Sequence, residues 1–158
     1  MSATVMGLST LGITFGYGVE TTAGTKPSAF TQLNRINSIG GISTDVEQID
    51  ASALEDLSTK YVAGRADTGG SLPIGVNYTD ETADEWEDLI DAYNTAAASG
   101  LALWFETILP NQSKSFFVVA QPPQLLPQPE MGQNELLVME VPLTIVDYKG
   151  RDTKVSFT

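Results

Sequence analysis

The sequence contains no cysteine and no histidine among its 158 residues. Without cysteine there is no disulfide, no thiol nucleophile and no cysteine-based zinc site. Without histidine the commonest general base and the commonest metal ligand are missing. Ser-His-Asp and Cys-His chemistry are excluded, so only carboxylate, Lys, Tyr or Ser/Thr mechanisms stay open. Positive charge is scarce too: 8 Lys and Arg stand against 20 Asp and Glu, a formal charge of -12. Nucleic-acid binding by counterion release needs a basic surface, and these few cations are dispersed. An acidic surface repels polyanions and favours solubility. No apolar run is long enough for a membrane span, and Met1 to Thr10 lacks a basic n-region, so no membrane anchor is expected.

What the chain has is enough apolar residue, 42%, for one cored domain over 1–158. Ile13, Phe15, Tyr17 and Val19 alternate with Gly12, Thr14, Gly16 and Gly18, a strand pattern in which Gly16-Tyr17-Gly18 reads as a bulge. Strands are also predicted over Phe30 to Ile39, Ile42 to Ile49, Leu72 to Tyr78, Leu101 to Ile108, Lys114 to Ala120 and Glu135 to Tyr148. A turn at Lys149 to Asp152 leads to a last strand, Thr153 to Phe157. Asp50 to Gly70 reads as a long loop carrying scattered Leu54, Leu57, Tyr61 and Val62, and Gln121 to Gly132 as a proline-rich extended loop. One helix is predicted over Thr82 to Ser99. Trp86, Leu89, Ile90 and Tyr93 give it an apolar face, and Thr82 with Glu85 gives it a capping box. The fold class is mainly β: a sandwich or barrel of about seven or eight strands, one packed helix and a long inter-strand loop.

Motifs that could carry chemistry have simpler readings. Asp67-Thr68-Gly69 matches the aspartic-protease tripeptide, but its loop context favours a turn. Asp80, Glu81, Asp84, Glu85, Glu87, Asp88 and Asp91 could offer oxygen ligands to calcium. They lack EF-hand spacing and suit a helix N-terminus with a solvated face. Phosphate-binding glycine loops are absent. Trp86 and Trp104 could line a carbohydrate site, yet both fall where core residues fall. No cofactor or metal is expected. The stray apolar residues of the 50–70 loop have little prospect of burial in their own domain, which points to a neighbour.

Taken together, the chain resembles the tailed-phage tail-tube (major tail) proteins. The resemblance rests on Gly18-Val19-Glu20-Thr21-Thr22 and Arg35-Ile36-Asn37-Ser38-Ile39. It continues in Glu47-Gln48-Ile49-Asp50-Ala51-Ser52, which leads into Tyr61-Val62-Ala63-Gly64-Arg65-Ala66-Asp67-Thr68-Gly69. It implies a non-enzymatic virion subunit that closes into hexameric rings, stacked around a channel for DNA. The 50–70 loop would reach the adjacent ring through Leu54, Leu57, Tyr61 and Val62. Asp45, Glu47 and Glu140, chosen by strand parity, are candidate acids of the channel wall. Implied partners are further copies and other tail proteins such as tape measure, terminator and distal tail proteins, with DNA only as passing cargo. The implied location is the phage tail, assembled in the bacterial cytoplasm. A contractile-tail tube, a tail-terminator or head–tail joining ring, and a carbohydrate-binding β-sandwich module remain alternatives.

Overall fold

The computed structural model describes residues 9–157, so most of the Met1 to Thr10 stretch lies outside it. The described residues form nine strands and one helix. They are β1 (Thr14–Val19), β2 (Thr31–Leu33), β3 (Ile36–Ile39), β4 (Asp45–Asp50), β5 (Tyr61–Asp67), β6 (Ser71–Asn77), α1 (Asp80–Ala98), β7 (Leu103–Ile108), β8 (Lys114–Gln121) and β9 (Val138–Thr153). Seven strands make one antiparallel sheet in the order β2-β1-β7-β8-β9-β6-β3; β4 and β5 pair only with each other. The fold is mainly β as expected, but the sheet is open and no barrel closes.

Openness has a local cause. The edge strands β2 and β3 are separated only by Asn34 and Arg35. The Asn34 N–H donates to Glu85 of α1 at 3.1 Å, and the Arg35 carbonyl accepts from the Asn77 N–H at 3.0 Å. Arg35 is also left-handed, at φ 58. The single strand expected from Phe30 to Ile39 is therefore broken in two, and the chain steps from one edge of the sheet to the other.

β9 corrects a second expectation. Lys149 to Asp152 does not turn the chain; β9 runs through it. Phe117 pairs with Gly150 and Val118 with Tyr148, which leaves Lys149 as a bulge; Val146 is bulged in the same way. Gly150, at φ 73, supplies the conformation. Beyond Thr153 the Lys154 N–H donates to the Ser113 carbonyl, and Phe157 makes a parallel bridge with Phe30.

The alternating residues of the strands meet on one face. Phe15, Leu72, Ile74, Val76, Phe105, Met139, Val141 and Leu143 pack there with Trp86 and Leu89 of α1. Phe15 and Phe105 stack with centroids 5.6 Å apart. A smaller cluster of Phe30, Trp104, Phe117 and Val119 holds Val155 and Phe157. This explains Gly16 and Gly18. β1 shows no register shift, so the predicted bulge is absent. A Cβ at Gly16 would lie 2.5 Å from the Phe157 ring, and one at Gly18 would lie 2.7 Å from the Ala29 carbonyl. These glycines let a second layer of chain approach the sheet.

α1 begins earlier than expected. Its N-cap is Thr79, whose hydroxyl accepts from the Thr82 N–H at 3.1 Å while the Thr82 hydroxyl accepts from the Thr79 N–H at 2.9 Å. The capping box is thus Thr79/Thr82, not Thr82/Glu85. Asp80 and Glu81 occupy the first turn, where the helix dipole favours anions. Glu85 is free of capping and takes both N–H groups of Asn34, the backbone and the side chain.

Candidate functional site

The β4–β5 pair stands apart from the sheet as an arm. The expected 50–70 loop is therefore partly strand, because Tyr61–Asp67 returns along Asp45–Asp50. Ile49 faces Val62, and Asp50 faces Tyr61; a shift between Val46 and Gln48 places Gly64 and Arg65 as a bulge. The connecting turn is closed by its own polar groups. The Asp50 carboxylate accepts from the Ser52 N–H at 2.9 Å, the Ser52 hydroxyl from the Lys60 N–H at 2.7 Å, and the Asp56 carboxylate from the Ala53 N–H at 2.8 Å. These Ser52 contacts hold the Asp50 carboxyl below the usual carboxylate range.

Every β4 residue is exposed. Leu54 and Leu57, at the tip, are 108% and 106% exposed; Tyr61 and Val62 are 61% and 55% exposed. A lone two-stranded hairpin is marginal in water, and soluble chains seldom leave such an apolar group uncovered. Of the candidate acids, Asp45 and Glu47 lie on the arm and Glu140 lies on β9 opposite Gly75. All three are exposed, and no strand pairing joins Glu140 to the other two.

Around the arm's root is a feature that sequence reasoning missed. A cavity of about 240 Å³ is lined by Ile39, Gly41, Ile42, Leu72, Phe116 and Tyr148 among others. Its walls come from segments scattered over more than a hundred positions, so no local pattern marks it.

Other sequence candidates are absorbed by structure. Asp67 ends β5 with its carboxylate exposed and accepting from the Gly69 N–H at 2.9 Å, a turn. Among the described residues no three acidic side chains converge to hold a metal ion. Trp86 and Trp104 are 0% and 4% exposed, so neither offers a face for a sugar. The Trp104 ring N–H donates to Glu20 at 2.7 Å, and Glu20 also accepts from the Ala102 and Gly24 N–H groups. That buried carboxylate, unmarked by any sequence signal, pins the turn after β1 to β7.

Glu106 is the second buried carboxylate. It shares strand parity with Trp104, the one signal that could have exposed it. One oxygen accepts from the Val155 N–H at 3.0 Å; among the described residues the other has no hydrogen-bond partner, nor has the nearby Ser115 hydroxyl. Burial pushes its pKa up, against the pull of the Val155 N–H and of the Lys26 and Lys154 charges. The folded chain thus holds this proton more tightly than the unfolded one. Its contribution to stability is present below the ordinary glutamate range, about 4.3, and is lost as pH rises through the raised value. Glu106→Gln is expected to remove that slope and to raise the melting temperature at pH 7 relative to the parent. Thermal melts from pH 4 to 8 measure this; parallel pH profiles for the two proteins would refute it.

No family model and no curated protein matches the chain. Solved structures do. The chain is similar to a chain in the tail of an empty gene transfer agent particle of C6 symmetry, with a TM-score of 0.56 and 13% identity over 94% of this chain and 99% of that one. It also aligns with a chain of the six-fold symmetrised baseplate of the anti-feeding prophage, with a TM-score of 0.48 and 12% identity over 87% and 90%. At 13% identity the likeness to the tail chain is one of fold alone.

Proposed function

We propose that this chain is a structural subunit of a phage-tail-like particle, specifically a tail-tube protein that forms stacked hexameric rings around a channel. The observation that carries this reading is the likeness in fold, nearly end to end, to a tail chain of a C6-symmetric particle. The exposed arm supports it, since its leucines have no cover within one copy. In this reading Leu54, Leu57, Tyr61 and Val62 bind the adjacent ring. Asp45, Glu47 and Glu140 contribute to a wall that DNA passes without adhering, because like charges repel. The subunit performs no catalysis, takes no cofactor and meets tape measure, terminator and distal tail proteins at the ends of the tube. It acts in the virion after assembly in the bacterial cytoplasm.

Purified protein imaged by negative-stain electron microscopy is expected to show six-fold rings or tubes of stacked rings. A species that stays monomeric at high concentration would reject the proposal.

A further inference from the structure

Building on the self-assembly proposed above, we infer that the cavity at the arm's root is the receptor for the arm tip of a second copy. The tip presents Leu54 and Leu57 around Glu55 and Asp56, with both leucines fully exposed. The cavity is apolar, and about 240 Å³ is ample for a leucine side chain; a cavity of about 150 Å³ lined by aliphatic residues admits benzene.

Charge agrees with shape. Phe116, on the cavity wall and part-exposed, faces Arg151 directly across the β8–β9 pair, and Lys114 lies two residues along the same face. Two of only eight cations in the chain therefore flank the cavity. The tip brings Glu55 between its two leucines, and Asp56 already closes the tip turn. An apolar anchor with a carboxylate beside it meets an apolar hole with cations beside it.

The tip cannot fill its own cavity. β4 has six residues, which at about 3.3 Å each carry the tip about 20 Å from the root. The occupant must be another copy. Tip and cavity are different surfaces, so each contact leaves one tip and one cavity unused, and the series continues from copy to copy.

The absence of cysteine makes the test clean. Leu54→Cys protein is mixed with Gly41→Cys protein under a short bismaleimide. Both sites are exposed, and a side chain at Gly41 meets nothing within 4 Å. A cross-linked dimer in the mixture, absent from either variant alone, is the expected result. Rings or tubes that form without that product overturn the receptor assignment and leave self-assembly standing. So does closure within one chain at high dilution in the Leu54→Cys, Gly41→Cys double variant, because the arm would then fold back on its own root. Unsubstituted protein that never assembles overturns both the receptor and the function it rests on.

Discussion

Leu54→Asp combined with Leu57→Asp is expected to give a folded monomer that no longer forms rings or tubes. Both side chains are fully exposed, so replacing them removes no contact within the chain. The new carboxylates flank Glu55 and Asp56 and make the tip a run of four acids. Burying a leucine is worth about 1.5–3 kcal/mol. Losing two is worth at least about 3 kcal/mol per contact, so the concentration needed for assembly should rise on the order of 100-fold. Sedimentation velocity and microscopy read the assembly, and a melting curve reads the fold. Tubes at the parent's concentration would show that the tip is not an adhesive surface. A lowered melting temperature would show that the leucines serve their own subunit.

The largest effect on the subunit itself is expected at Trp86. Its side chain is fully buried between α1 and the sheet. Trp86→Ala should cost about 3–5 kcal/mol, a large part of the 5–15 kcal/mol that holds a domain of this size together. Trp86→Phe should cost much less than the size change suggests. Among the described residues the indole N–H has no hydrogen-bond partner, and an unpaired buried donor carries a penalty of about 1–3 kcal/mol that phenylalanine removes. Urea denaturation separates the two variants. An alanine variant within about 1 kcal/mol of the parent would mean that the helix is not the lid of the core.

These predictions differ in how legible their residues were. Trp86 was readable because helical periodicity reports which face turns inward, and Leu72, Ile74 and Val76 were readable by the same logic in a strand. The arm was readable in part. Leu54, Leu57, Tyr61 and Val62 stood out as apolar residues among turn-formers, but Tyr61–Asp67 carries Ala, Gly, Arg and Asp and so conceals a strand. Its ladder comes from pairing with β4, which is tertiary information. Lys149-Gly150-Arg151-Asp152 misled for the opposite reason: local turn chemistry was present, and the neighbouring β8 overrode it with a bulge. Glu20, Glu106 and the cavity were hidden because each is defined by segments far apart in the chain.

The long last strand has a mechanical meaning. β9 pairs with β6 up to Thr144 and with β8 from Thr144 onward, so one residue touches both Ser71 and Gln121. The arm leaves the body beside this crossing, since the Gly70 carbonyl accepts from the Ile145 N–H at 3.0 Å. The other stem of the arm comes from β3, a four-residue edge strand, whereas β5 runs through Gly69 and Gly70 into β6, which lies between β3 and β9. A pull on the arm is therefore shared between a short edge strand and an interior strand, and the interior share passes by way of β6 to the sixteen residues of β9.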